Sequence, residues 1–355
     1  MWQLSTNNTL TYYSTYTNAE GRLFIESLLI FVVTNHGLFR LYINKQTNQK
    51  NIRMKTLKKY HGVVVPMVTP VSKDGSIDTV AVERIVDNMA RFGVAPLIMG
   101  TTGEGNSVST EGGVQMIAAA KKAAQGRVTI YTGLAGNCIS EQQAAAERFI
   151  EAGADVIAAT LPSYYALTPA QMENYYLTLA NAIKVPLMLY NITITTHMSI
   201  PLDVIERLSH HPNIVGLKDS ENNVPRLEEA LKLFADREDF AYFCGCAANS
   251  AVSLKNGADG IVPSVGNYLP QKYQQLYEAG INGDMAECER LQQETIEIGK
   301  INTAGLTLGE SLAGLKVIMK MCGLCEEYML PPLTELSPEI ADRIRKEAAP
   351  IVNSL

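Results

Sequence analysis

The sequence predicts an α/β protein: a (β/α)8 TIM barrel followed by a C-terminal helical extension. Three observations predict it. From residue 61 onward, short apolar runs rich in β-branched residues alternate with stretches of helical periodicity. The apolar runs lack the polar alternation of a sheet with one wet face, so they read as parallel strands covered on both sides. Eight such units occupy about 220 residues, near the usual ~250 for this barrel. A doubly wound open sheet is the competing architecture. It would usually place a Gly-x-Gly-x-x-Gly turn after the first strand, and none follows Val68.

In order, the strands are expected at 63–68, 96–99, 128–132, 155–159, 186–190, 213–217, 240–244 and 260–262. The intervening helices are expected at 78–92, 110–124, 140–152, 169–183, 201–209, 224–235, 247–256 and 269–279. Ser109-Thr110-Glu111, Ser140-Glu141-Gln142 and Thr168-Pro169-Ala170-Gln171 each put a hydroxyl cap before acidic or amide side chains, or a proline in the first turn. Gly93, Gly153, Gly257 and Gly280 supply stop signals. Beyond Asn282 the pattern is purely helical, through about 302, 308–322 and 338–348. The barrel is therefore assigned to 54–282 and the extension to 283–355.

Residues 1–53 differ from the rest, being rich in Thr, Asn and Tyr with one apolar patch over 28–33. They lack the basic start and cleavage site of a secretory signal. With Met54 opening the well-patterned sequence, they are expected to be a poorly ordered extension or translation from a start placed too far upstream. The competing reading is a helix over 23–33 capping the fold.

Composition narrows the function. The 355 residues carry 30 basic and 36 acidic side chains, net −6, with no basic tract, so no nucleic-acid partner is expected. No apolar run reaches the roughly 18 residues of a membrane span. Six cysteines in a chain of this length do not make a disulfide scaffold, and a cytoplasmic location is expected.

Chemistry in such barrels sits at the carboxyl ends of the strands. Those ends hold Gly100-Thr101-Thr102-Gly103-Glu104, Pro162-Ser163-Tyr164-Tyr165, Tyr190-Asn191, Lys218-Asp219, Gly245-Cys246 and Pro263-Ser264-Val265-Gly266. Lys218 stands out because it ends an apolar run. An inward ammonium there would be poorly solvated, which favours the neutral amine and makes lysine a nucleophile toward ketones. A lysine at a strand exit can also simply reach water. Tyr190 weighs against that reading. It ends the adjacent strand, and dehydration of a carbinolamine needs a proton carrier near the amine. Thr101 and Thr102, across the barrel mouth, offer hydroxyls for a relay.

Other chemistries fit less well. The five histidines show no metal-ligand spacing. Cys322-x-x-Cys325 has no second pair at zinc-site spacing, and reads as structural. Cys246 has no evident partner base, and no phosphate-cradling P-loop is present.

Along nearly the whole of 54–355 the chain resembles the dihydrodipicolinate synthase/N-acetylneuraminate lyase family of pyruvate-handling class I aldolases. The resemblance rests on Gly100-Thr-Thr-Gly-Glu104, Leu189-Tyr-Asn-Ile192 and Gly216-Leu-Lys-Asp219, with Ala258-Asp-Gly-Ile261 and the late Lys316…Gly323-Leu in support. It implies a lysine imine with pyruvate or a related 2-oxo acid, an aldehyde as second substrate, no metal and no dissociable cofactor. It also implies a homo-oligomer, dimer or tetramer. Carried over by position, Lys218 is the Schiff-base lysine, Tyr190 the proton shuttle, and Thr102 the relay hydroxyl. Thr101 helps hold the keto-acid carboxylate, and Tyr164 is the tyrosine that reaches into a neighbouring subunit's site. Gly245 and Val262 provide cavity-wall positions.

The chain also departs from the family. Thr195 stands where synthases carry the arginine that holds the aldehyde substrate's carboxylate, and Cys246-Ala247-Ala248 replace the acidic residues of the sialic-acid lyases. The Schiff-base residues are present while both specificity determinants are missing. The resemblance therefore implies a lyase with a different aldehyde, its outer pocket around 193–197 and 246–249. A 2-oxo-3-deoxy sugar-acid aldolase or dehydratase and dihydrodipicolinate synthase itself are the alternatives. A barrel that binds small acids without catalysis is the alternative of another class.

Overall fold

The computed structural model describes residues 57–355 in full and, before them, the backbone of four strands. The chain divides into two units, Met1–Lys59 and Tyr60–Leu355. In the first, β1 (Trp2–Ser5), β2 (Thr9–Thr17), β3 (Leu23–Thr34) and β4 (Gly37–Asn44) form an antiparallel sheet in chain order. The helix considered over 23–33 is instead the strand β3; the burial of that segment, and the residues between the strands, lie outside what is described.

The second unit is the predicted barrel. Its strands are β5 (Gly62–Pro66), β6 (Ala95–Ile98), β7 (Tyr131–Leu134), β8 (Val156–Thr160), β9 (Leu187–Asn191), β10 (Ile214–Asp219), β11 (Ala241–Cys244) and β12 (Gly260–Ile261). Each pairs in parallel with the next, and β12 pairs with β5 to close the sheet. Around it lie α1 (Thr79–Arg91), α2 (Thr110–Ala124), α3 (Ile139–Ala152), α4 (Pro169–Ala182), a one-turn α5 (Thr193–Thr196), α6 (Leu202–Leu208), α7 (Val224–Leu233), α8 (Ser250–Lys255) and α9 (Pro270–Ile281). The extension is α10 (Met285–Thr303), α11 (Leu308–Met321) and α12 (Pro338–Val352). Among the described residues no helix is long and apolar enough to cross a membrane.

Two cores follow from the period-2 alternation of the strands. Outward side chains such as Leu187, Leu189 and Leu217 pack under the helices. Inward ones, among them Val64, Leu97, Tyr131, Ala158, Met188 and Phe243, form a separate apolar cluster with Val262. That inner cluster is the floor on which the site is built.

Two local expectations shift. The expected strand at 128–132 is β7, three residues later at its start. The strand runs on through Gly133, which has to be glycine there: a Cβ would stand 2.3 Å from the Met99 carbonyl oxygen. The second shift is at α3, which starts at Ile139, so Ser140 falls inside the first turn and Cys138 takes the cap position without a side-chain bond. The caps at Ser109 and Thr168 form, the latter as a reciprocal capping box with Gln171.

Candidate active site

A β-bulge decides where Lys218 points. Ile214 and Leu217 both pack in the outer core although they are three residues apart, which strict alternation forbids. The register between β9 and β10 shifts between Ile214 and Gly216, and the extra residue reverses the inward–outward order. Gly216 allows the strands to stay close, since a Cβ there would sit 2.5 Å from the Ala241 carbonyl oxygen. Lys218 then pairs with inward Tyr190 on one side and inward Phe243 on the other. Asp219 faces the opposite way and fastens the strand. It accepts from the Asn191 amide at 2.9 Å and from Arg226 Nε at 2.9 Å, while Arg226 also donates to the Ile200 carbonyl at 2.8 Å.

The lysine is 2% exposed and its Nζ lies 3.7 Å from the centroid of the Tyr190 ring, itself on a residue 3% exposed. Burial holds the amine below the ordinary lysine range, against the opposing pull of Tyr190. Burial pushes the Tyr190 phenol upward. The charge of Lys218 and hydrogen bonds with Lys218, Thr101 and Ser220 outweigh it, so the phenol lies below its ordinary value. The pair thus combines an amine shifted toward its neutral form with a phenol shifted toward its ionised form.

Of the two adjacent threonines, Thr101 is the one whose hydroxyl faces the phenol. Thr101 Oγ1 lies 3.4 Å from the Tyr190 hydroxyl, a distance that has to shorten for a settled O–H···O bond. Thr102, given the relay role by position, is not among the residues lining the cavity, whereas Thr101 is. The reason is the turn itself. Gly103 N–H donates to the Gly100 carbonyl and Glu104 N–H to the Thr101 carbonyl, so successive side chains leave in different directions.

Tyr190 and Thr101 line a cavity of about 50 Å³, on the scale of a few waters or a small acid rather than a sugar chain. Lys218 is not itself a lining residue; the ring on which its amine packs is. The wall includes Thr160, which pairs with Tyr190 across β8 and β9, and Thr195. It also includes Ser163, from the expected strand-end segment 162–165, and Asn106 and Asn137, which the sequence reading did not single out. Asn137 shapes the loop after β8 by accepting the N–H groups of Ser163 and Tyr164, each at 3.0 Å. A β7 end placed at Leu134 would have pointed to Asn137. Among the described residues, no Lys, Arg, Asp or Glu lines this cavity.

The remaining expected positions are placed as follows. Gly245 lies beside Ser220, and its N–H donates to the Asp219 carbonyl at 2.7 Å. Val262 is buried in the inner cluster and donates its N–H to the Cys244 carbonyl. Tyr164 and Tyr165 are 77% and 69% exposed and meet edge to face at 4.9 Å. Of the positions expected to form an outer pocket, Thr195 and Thr196 line this cavity, while Thr193, Ile194, His197 and residues 246–249 do not. Burial raises the Cys246 thiol, and it pushes those of Cys322 and Cys325 up to about 11 and about 12, the behaviour of inert thiols. Among the described residues no group of His, Cys, Asp and Glu is arranged to hold a metal ion.

Comparison with known proteins agrees with this fold. The model of the dihydrodipicolinate synthetase family matches residues 59–350. A probable 2-dehydro-3-deoxy-D-pentonate aldolase of Escherichia coli strain K12 is 27% identical over 81% of this chain and 96% of its own. A 4-hydroxy-tetrahydrodipicolinate synthase of Alkalilimnicola ehrlichii is 28% identical over 81% and 97%. Among solved structures, the dihydrodipicolinate synthase of Bacteroides thetaiotaomicron superposes with a TM-score of 0.77 at 28% identity, covering 83% of this chain and 100% of that one. The enzyme of Acinetobacter baumannii, solved in complex with pyruvate, gives 0.75 at 26%, covering 83% and 98%. A family match across the whole barrel, on a fold shared with these enzymes, makes this chain a lyase of the dihydrodipicolinate synthetase family.

Proposed function

We propose that Lys218 forms an imine with pyruvate or a closely related 2-oxo acid, and that the enzyme makes or breaks a carbon–carbon bond between that acid and an aldehyde. The observation that carries this is the buried amine held 3.7 Å from the ring of a phenol that itself meets a threonine hydroxyl. The neutral amine attacks the C2 carbonyl to give a carbinolamine. Tyr190 delivers a proton to the departing hydroxyl, water leaves, and the imine forms. Loss of a C3 proton gives an enamine whose C3 attacks the aldehyde carbon, and hydrolysis returns the amine. Cleavage runs the same steps backward. The pyruvate complex of the Acinetobacter relative supports the choice of acid.

The aldehyde is neutral in this reading. A carboxylate-bearing aldehyde would want a cation, and the cavity wall offers hydroxyls and amides, with Thr195 where the family's arginine is expected. A hydroxylated aldehyde, as in the pentonate aldolase relative, suits that wall better than the substrate of a dihydrodipicolinate synthase. Exposed Tyr164, Tyr165 and Ile194 near the barrel mouth favour a homo-oligomer in which a second copy covers them. Six free thiols suit a reducing, cytoplasmic setting.

Borohydride reduction in the presence of pyruvate, followed by peptide mass spectrometry, tests the central step. A reduced pyruvyl adduct on Lys218 is expected. An adduct on another lysine, or none, removes the mechanism.

A further inference from the structure

The turn that presents Thr101 is anchored by a buried ion pair that the chemistry does not use. Glu104 Oε1 and Lys316 Nζ stand 2.5 Å apart, with side chains 0% and 1% exposed. Glu104 Oε2 accepts the Leu330 N–H at 2.8 Å, and Lys316 donates to the Tyr328 carbonyl at 2.7 Å. The pair therefore ties the loop after β6 to α11 and to the segment that follows α11. Glu104 holds φ 53, and Met99, at the other end of the same loop, φ 57. Residues with a Cβ keep that left-handed conformation only where their surroundings enforce it. Between them the Glu104 N–H donates to the Thr101 carbonyl at 3.1 Å, so the anchored residue is bonded directly to the one that carries the relay hydroxyl.

Two charges taken fully out of water are a poor way to gain stability, since an apolar pair of similar volume does as well or better. What an ion pair adds is direction. We propose that Glu104 and Lys316 are positioning residues: their bond sets the Thr101 hydroxyl against the Tyr190 phenol, and the C-terminal extension thereby takes part in proton transfer. The inference rests on the Lys218 imine.

The test needs pyruvate alone. Exchange of its methyl hydrogens with deuterium from solvent, followed by proton NMR, reports imine and enamine formation without any aldehyde. In the double variant Glu104→Gln/Lys316→Met, which leaves no unpaired charge, the circular dichroism spectrum and thermal midpoint should stay close to those of the parent. Borohydride should still trap pyruvate on Lys218. The kcat of exchange should fall on the order of 10- to 100-fold with little change in KM, the cost of a misplaced relay. Adding the double variant to Thr101→Val should cost nothing further, because the hydroxyl it positions is already gone.

Parent-like kcat in the folded double variant, or full additivity with Thr101→Val, overturns the proposal. Should the double variant not fold, Glu104→Gln/Lys316→Gln, which likewise leaves no unpaired charge and keeps an acceptor for the Leu330 N–H, is judged by the same two measurements. Absence of trapping in the parent enzyme overturns the imine itself and this inference with it. Trapping in the parent with unchanged exchange in the variant overturns this inference alone.

Discussion

Lys218 and Lys316 are buried to nearly the same degree, 2% and 1% exposed, and their surroundings make them opposites. Lys316 meets a carboxylate and a main-chain carbonyl, each at hydrogen-bond distance. Lys218 meets an aromatic face and a phenol, and the charge acting on it is that of Tyr190. One ammonium has a full counter-charge; the other has a partner that can itself release or take up a proton. Burial alone therefore does not mark a nucleophile. The difference lies in the partner, a weak acid beside Lys218 and a carboxylate beside Lys316, and at Lys218 burial favours the neutral amine.

Exchanging each lysine for methionine separates the two roles most sharply. Lys218→Met should abolish borohydride trapping and lower methyl exchange by at least about 10⁴-fold, while urea unfolding shows the fold intact or firmer. Lys316→Met should keep trapping on Lys218 and lose stability instead, with exchange falling only on the order of 10- to 100-fold as the relay is misplaced. It leaves Glu104 buried without its partner, and the urea midpoint should report a loss of about 3–5 kcal/mol. If both variants lost stability equally and both kept trapping, the contrast between the two lysines would collapse.

Tyr190→Phe comes next in size. Without the phenol, exchange should drop by roughly 10²–10³-fold, the range for a missing proton carrier. Its pH profile carries a second sign. The reactive form is the neutral amine, so the rate rises as pH climbs through the Lys218 value. Tyr190 pulls that value up against the stronger effect of burial. Removing the phenol should move the rising limb of kcat/KM to lower pH. A limb moved to higher pH would mean that the phenol acts on the amine in the opposite sense to the one inferred.

The barrel was readable because eight apolar runs and their helices repeat a pattern that local physics enforces, and each expected strand overlaps an observed one. Lys218 and Tyr190 were readable for a related reason: strand ends are where a barrel exposes chemistry. Their shared orientation was not, because it depends on an extra residue near 215 that alternation by itself cannot reveal. Asn137 was missed because the strand was expected to end at residue 132, whereas it runs on to Leu134 through Gly133, where it passes close to the Met99 main chain. Glu104 and Lys316 both lie in recognised motifs, yet their pairing is tertiary, and nothing local in either segment announces it. What was hidden in each case is a relation between elements rather than a property of one.

The two adjacent threonines give the finest version of the contrast, because they differ only in where the turn sends them. Thr101 contacts the phenol and lines the cavity; Thr102 does not line it. Thr101→Val is nearly isosteric and deletes only the hydroxyl, so exchange should fall by about tenfold or more while trapping on Lys218 persists. Thr102→Val should change kcat of exchange by less than about twofold, a difference worth under ~0.5 kcal/mol. The assignment carried over by position requires the reverse order, with Thr102→Val the more damaging. Measuring the two variants side by side, in the same buffer and with pyruvate as the sole substrate, decides between a relay set by motif position and one set by the turn. A larger loss at Thr102 would also detach Glu104 and Lys316 from the chemistry, since the hydroxyl they are proposed to aim would no longer be the one that matters.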